Sequence, residues 1–308
     1  LQDGDKLDVS VTAGKEVEIS LLTPGQGTKN FGEPGRFHDI IHVVDKGGRY
    51  TVVTTAVWSK GWDSCEVALA NVESQYVIYR PDEGPSDGLV GYWSFDADRN
   101  QTVQDSSGLN NHGTKVGSMD LVDGRYGDAL RFNGVANYVT IPDSPELRLN
   151  KYQTISAWYK WSGQGSKWRR LVGKGDYWKR NYGLWIRPES NMILFQIYGP
   201  GPSDTRPKGC EALYRDVVFD YGWHHIAGTY DDGVYRLYFD GQLVQLPNRC
   251  DVEPFNTNHP VTIGFATGES GDWGDSDNAL FDGLIDEVRI YNRVLSDCEI
   301  ASLAGSPC

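Results

Sequence analysis

Between Trp158 and Arg187 the chain gathers Lys160, Lys167, Arg169, Arg170, Lys174, Lys179, Arg180 and Arg187, interleaved with Trp161, Trp168, Tyr177, Trp178 and Trp185. The chain as a whole carries a formal charge of -13, so the field here opposes the global one. Guanidinium groups grip carboxylates and sulfates in bidentate fashion, and indole faces stack on sugar rings. Together that is the chemistry of holding an acidic polysaccharide. Trp158 and Trp185 lie in apolar runs and are expected to be core residues of strands. Trp168, Arg169, Arg170, Trp178, Lys179 and Arg180 remain as candidate carbohydrate contacts. Trp273 joins them from the acidic loop GESGDWGDSDN (268–278), because an exposed indole gains by being covered. The acids of that loop, Glu269, Asp272, Asp275 and Asp277, miss the spacing of an EF-hand and are expected to form a solvated turn.

Other chemistries find no footing. There is no G-x-S-x-G, no H-E-x-x-H and no phosphate-cradling Gly loop ahead of a helix. His224 and His225 are neighbours on an expected strand, where adjacent side chains face opposite ways, so packing is the expected role of both.

The elements that must position these residues read as strands. In WHHIAGTYDDGVYRLYFDGQLV (223–244) two Asp-Gly steps punctuate runs of period two. Ile226, Gly228 and Tyr230 face one way and His225, Ala227 and Thr229 the other; Tyr235, Leu237 and Phe239 alternate with Val234, Arg236 and Tyr238. Tight primed turns need positive φ, which Asp and Gly tolerate, so the stretch is a three-stranded antiparallel meander. Strands recur at 89–95, 129–132, 138–141, 153–160, 170–174, 182–187, 192–198, 261–265 and 284–291, and about a dozen in this length imply a jelly-roll sandwich. Ser296-Asp297-Cys298-Glu299 has the spacing of a capping box and opens a closing helical turn. Ahead of them, residues 1–80 read as six short strands (6–11, 17–22, 39–44, 50–58, 66–70 and 76–79) of a small β-sandwich. Residues 81–87, PDEGPSD, form a linker, and 88–308 form the jelly roll.

The 308 residues include 36 Gly and 2 Met, a balance that suits an all-β chain of many turns. Acidity excludes nucleic acid as the general partner, and no apolar run reaches the length of a membrane span. No leader is visible, as expected of a mature or excised chain. The cysteines form no CxxC pair. Cys210 and Cys250 flank the meander, and Cys298 and Cys308 bracket the C-terminal turn. Both pairs suit an oxidising compartment, extracellular or periplasmic, and Cys65 is left over.

GLVGYWSFD (88–96), DSSGLNNHGT (105–114), YGDALRFNGVANYVTIPDSPEL (126–147), TISAWYKW (154–161), LVGKGD (171–176), NYGLWI (181–186), the meander and FDGLIDEVRIYNRVLSDCEIASL (281–303) occur in this order. In that order they resemble the laminin G-like jelly roll of the concanavalin A-like lectin/glucanase superfamily, across residues 88–304. FHDIIHVVDKGGRYTVVTT (37–55) is faintly similar to a bacterial pre-peptidase C-terminal type of accessory sandwich. Against the laminin G-like pattern, GPGPSDTRPKG (199–209), between two expected strands, is one departure and the overlong 268–278 loop a second.

The resemblance implies a structural Ca²⁺ between first and last strands, with carboxylates from Asp96 and Asp286 and carbonyl oxygens near Asn111 and Gly113. Glucanases of this superfold resemble one another in an E-x-D-x-E run; none occurs here, Asp282 and Asp286 being separated by Gly-Leu-Ile and Glu211 standing alone. Lyases of the fold imply a Tyr/His pair with Arg and Gln. Tyr198, Gln196, Arg215 and His225 can be gathered into such a set, but their spacing does not select them. The expectation is a secreted or cell-surface protein that binds an acidic polysaccharide without cleaving it, on a scaffold stapled by calcium and disulfides and open to attachment within a larger extracellular protein. An adhesion module for protein partners is the first alternative, and a lyase or hydrolase the second.

Overall fold

Asp232 and Gly233 adopt φ of 39° and 102°, and Asp240 and Gly241 φ of 47° and 79°, so each Asp-Gly step closes a primed turn. The computed structural model describes 6–12, 16–22, 42–43, 52–56 and 70–74 of the N-terminal stretch. From 84 onward it describes all residues except 99, 164–166, 176–178, 204–205, 251, 267–279 and 307–308. Two units divide the chain, one of Leu1–Lys46 with Tyr50–Tyr76, the other of Val77–Cys308 with Gly47–Arg49.

In the first unit β1 (Lys6–Thr12) and β2 (Glu16–Leu22) form an antiparallel pair, and β3 (His42–Val43), β4 (Val52–Ala56) and β5 (Ala70–Ser74) a three-stranded sheet. Of the expected strand at 66–70 only Ala70 is described, as the first residue of β5, and the expected strand at 76–79 falls outside the described residues.

The second unit is a sandwich of two antiparallel eight-stranded sheets. The first sheet holds β6 (Leu89–Trp93), β9 (Leu121–Asp123), β10 (Asp128–Asn133), β12 (Tyr152–Trp161), β17 (Trp223–Asp231), β18 (Val234–Phe239), β19 (Gln242–Arg249) and β21 (Asp282–Tyr291). The second runs β16-β15-β14-β13-β20-β11-β8-β7, that is Arg206–Arg215, Met192–Ser203, Tyr182–Arg187, Arg169–Lys174, Val261–Ile263, Tyr138–Ile141, Gly113–Val116 and Thr102–Val103. Between the sheets lies one core, to which Trp93, Phe132, Ile155, Tyr159, Leu184, Phe195, Ile226, Leu237 and Ile290 contribute. The sheets approach so closely at Gly228 that a Cβ there would come within 2.2 Å of the Phe195 ring. A helix, α1 (Asp297–Leu303), closes the chain. Ser296 and Glu299 form the expected capping box at its start.

Segment 199–209 falls largely within strands. β15 and β16 pair in one register from Met192↔Arg215 to Gly199↔Lys208, and after an irregularity again at Ser203↔Arg206, so it extends the β15–β16 hairpin. Its Gly and Pro content masks the strand signal, and cross-strand pairing supplies the order. Cys210 and Cys250 are bonded, tying this hairpin to the end of the meander. Cys298 is also disulfide-bonded, while Cys65 and Cys308 lie outside the described residues.

Candidate functional site

Alternation on the second sheet sends Leu184 and Ile186 inward and Trp185 outward, although all three are buried. Trp185 is therefore not part of the core between the sheets. It belongs to a separate cluster with Leu194 and Ala266, against which Trp168 and Leu213 pack. Strand register lays the outer side chains in rows. Arg170, Trp185, Leu194 and Leu213 are successive partners across β13, β14, β15 and β16; beside them run Gly173, Gly183, Gln196 and Glu211. The two glycines make room, because a Cβ on Gly183 would meet the Trp185 indole nitrogen at 2.7 Å and one on Gly173 the Arg170 Nε at 3.1 Å. Large side chains can then lie flat on the sheet.

Two guanidinium groups flank that indole, Arg170 at 4.6 Å and Arg180 at 4.9 Å from the ring centroid. Arg170 donates to the carbonyl of Gly175, just past the end of β13, at 3.0 Å. Arg180 donates to Gln196 Oε1 at 2.7 Å. Gln196 Nε2 in turn donates to Glu211 Oε1 at 3.0 Å and to the Tyr198 hydroxyl at 3.1 Å, and that hydroxyl donates to the same Glu211 oxygen at 2.7 Å. Tyr198 reaches it by lying over Gly209, where a Cβ would come within 2.7 Å of the ring. The result is a fixed chain from cation to carboxylate, Arg180–Gln196–Glu211, with Tyr198 bridging its acidic end. Arg170, Arg180 and Gln196 are buried, Tyr198 is half-buried and Glu211 is exposed. The indole nitrogen of Trp185 is buried and has no hydrogen-bond partner among the described residues.

Of the expected carbohydrate contacts, the structure brings Trp168, Arg170 and Arg180 to this face. Arg169 pairs with inward-facing Ile186 and so points to the other side of the sheet. Lys179 is exposed; Trp178 and Trp273 lie outside the described residues. From the lyase-type set, Gln196 and Tyr198 meet here. Arg215 sits at the other end of β16, and His225 is buried on the other sheet, its ring 5.4 Å from that of Trp158 and tilted by 57° to it. Glu211, expected to be apart from any run of acids, is held by Gln196 and Tyr198, and the Gln-x-Tyr alternation opposite Gly-x-Glu was the signal available for that contact.

The outer face of the first sheet is a different environment. Trp158, Asp286, Glu287, Arg289 and His225 are buried there beneath the 124–128 turn and α1. The Trp158 indole donates to the Leu303 carbonyl of α1 at 3.0 Å. Arg289 pairs with Glu287 at 2.5 Å, and Tyr92 donates to Glu287 at 3.0 Å. Asp286 Oδ2 accepts from the amides of Arg125 at 2.8 Å and Tyr126 at 3.1 Å, and Asp96 Oδ1 accepts from the Asp128 amide at 2.7 Å. Both acids thus hold one turn. The other oxygen of Asp286 is buried and has no hydrogen bond from the described residues, and burial, then the charge of Glu287, pushes the group's pKa up to about 8. Asn111 and Gly113 are engaged elsewhere. The Asn111 carbonyl accepts from the Trp93 indole at 3.0 Å and its amide donates to Val90 at 2.8 Å, while Gly113 is a buried residue of β8. Among the described residues no group of three or more His, Cys, Asp or Glu side chains converges as a metal cluster.

Residues 133–301 match the laminin G-like family described as the concanavalin A-like lectin/glucanases superfamily. No curated protein matches the chain. Among solved structures the chain is similar to domain 4 of AbnA, an extracellular arabinanase of family GH43 from Geobacillus stearothermophilus, in complex with arabinotriose. The identity is 22%, with 70% of this chain and 98% of that one covered and a TM-score of 0.53. It is also similar to the binding domain of Paraclostridial Mosquitocidal Protein 1 (15% identity, 71% and 52% covered, TM-score 0.54). A third is the binding domain of botulinum neurotoxin DC in complex with rat synaptotagmin II (14%, 71% and 52%, TM-score 0.55). The chain spans about half the length of the two toxin domains. At these identities the likeness concerns the fold.

Proposed function

The chain belongs to the concanavalin A-like lectin/glucanase superfamily in its laminin G-like form, and from that premise we propose that it is a non-catalytic carbohydrate-binding module. Its glycan would lie on the outer face of the second sheet. The observation that carries this reading is the pair of half-buried aromatic residues Trp168 and Tyr198 on a floor of buried Trp185, Arg170 and Arg180, with the polar chain from Arg180 through Gln196 ending at exposed Glu211. Aromatic faces bordered by fixed donors and acceptors are what a sugar ring with its hydroxyl groups requires. The arabinotriose complex of AbnA domain 4 supports the reading by showing the fold in that use.

The glycan is proposed to be acidic, its charged groups meeting the exposed Lys179 beside Trp168 at the accessible edge, while the buried Arg170 and Arg180 lend the face their positive field. Calcium belongs to the proposal as a structural ion. The residues fit it on one count, the unpartnered buried oxygen of Asp286 beside the turn that Asp96 also holds. Asp96 and Asp286 would hold the ion, which would supply positive charge to buried carboxylates. The Cys210–Cys250 bond suits a secreted or cell-surface protein.

Affinity electrophoresis through gels carrying neutral, uronate or sulfated polysaccharide tests the proposal. Retardation, strongest in the acidic gels and weakened by Trp168→Ala and Arg180→Ala, is expected. No retardation in any gel sinks it and leaves an adhesion module for protein partners as the better reading.

A further inference from the structure

Glu211 is a negative charge at the rim of a face otherwise furnished with cations. In such a setting a carboxylate would ordinarily pair with the nearest guanidinium. Here Arg180 is turned onto the oxygen of Gln196 at 2.7 Å, and it is the Gln196 amide that reaches Glu211 at 3.0 Å. The cation is thereby kept one residue away. Both donors that orient the carboxylate, the Gln196 amide and the Tyr198 hydroxyl, are neutral, and both bind the same oxygen, Oε1. Oε2 accepts no hydrogen bond from the described residues, although the side chain is exposed and fixed in place.

A carboxylate so held is a pure acceptor. It takes hydrogen bonds from adjacent hydroxyl groups and repels a ligand carboxylate or sulfate. Arg170 and Arg180 are buried: Arg170 faces Trp185 and the Gly175 carbonyl, while Arg180 faces Trp185, Gln196 and, 5.7 Å from its centroid, the Tyr198 ring.

We propose that Tyr198 and Glu211 form a subsite for an uncharged sugar residue carrying vicinal hydroxyl groups, set within the wider glycan face. The inference rests on the carbohydrate-binding reading and refines it. Charged residues of the glycan would sit toward Trp168 and Lys179, and the residue at Glu211 would be neutral. A site built to hydrogen-bond hydroxyl groups discriminates strongly against ligands that lack them, because its own polar group is then left unpaired.

The test compares wild type with Glu211→Gln and Glu211→Asp in gels of a neutral galactan and of polygalacturonate, in which every residue is charged. Glu211 is exposed, so unchanged melting temperatures are the control for folding. Glu211→Gln keeps the shape and removes the charge. It is expected to be retained at least about threefold less by galactan and at least about threefold more by polygalacturonate. Glu211→Asp withdraws the charge by one methylene, and should lose galactan affinity without gaining polygalacturonate affinity. Equal changes in both gels, no change in either, or a wild type indifferent to every uncharged polymer overturns the subsite. Binding to polygalacturonate that survives such a result leaves the glycan face standing; absence of retention in both gels removes the subsite and the glycan reading together.

Discussion

The two outer faces of the sandwich each carry a buried tryptophan with a guanidinium stacked on it, Arg125 at 4.5 Å from the Trp158 ring and Arg170 at 4.6 Å from the Trp185 ring. They differ in how the indole nitrogen is satisfied. Trp158 donates to a carbonyl of α1, so the chain's own last helix completes that face. The Trp185 nitrogen finds no partner among the described residues, and its neighbours form a polar chain that leads to the exposed Glu211. Burial of a tryptophan is thus no sign of its role. A face finished by its own chain is structure, whereas a face whose hydrogen bonding stops at the surface is where a ligand finds work to do.

That contrast breaks most visibly at Trp158. Trp158→Ala should cost about 3–5 kcal/mol of stability, read by denaturant unfolding, because it opens a cavity under α1. The folded fraction should keep its glycan retention. An equal loss of retention would merge the two faces into one site.

Acid should also act on the closed face. His225 is buried there, and burial, then the Arg289 charge, lowers its pKa to about 3. An unfolded chain takes up that proton near pH 6.5, so this contribution is complete above about 6.5 and is lost as pH falls towards about 3. Asp286, raised to about 8, works in the opposite sense: its contribution is present at low pH and is lost as pH rises towards 8. The informative quantity is therefore the difference between wild type and His225→Leu. Melting temperature should fall more steeply with acid in the wild type, between pH 6.5 and 4, than in the variant. Parallel curves would count against a neutral buried His225.

A finer comparison uses matched substitutions. Trp158→Phe strands the Leu303 carbonyl and should cost about 1–3 kcal/mol beyond the same change at Trp185, where no hydrogen bond is lost. Equal costs would show that the Trp185 nitrogen has a partner in the folded chain. Smallest of all, Ser296→Ala should remove about 1 kcal/mol by uncapping α1, with no effect on the second sheet.

Much of the fold was legible in the sequence because its signals are local. The Asp-Gly turns demand positive φ at two adjacent residues, and Ser296 with Glu299 spells its cap in four residues. The site was less legible because its signals depend on pairing. In YGLWIR (182–187) every residue but Arg187 is buried, so alternation could not say which side of the sheet holds Trp185. Glu211 looked isolated because the strand that bears it runs through a segment rich in Gly and Pro. Only the register of β15 on β16 sets it opposite Gln196. Arg169 and Arg170 read as one cluster in sequence and face opposite sides of a sheet in space.

The most direct test of the glycan face follows the two indole N–H signals of ¹⁵N-labelled protein during titration with a polysaccharide fragment that retards it. Trp158→Phe and Trp185→Phe assign the two signals. The account predicts that the Trp185 signal moves with saturation while the Trp158 signal stays in place. A shift of Trp158 alone, or of neither while the fragment binds, would contradict it.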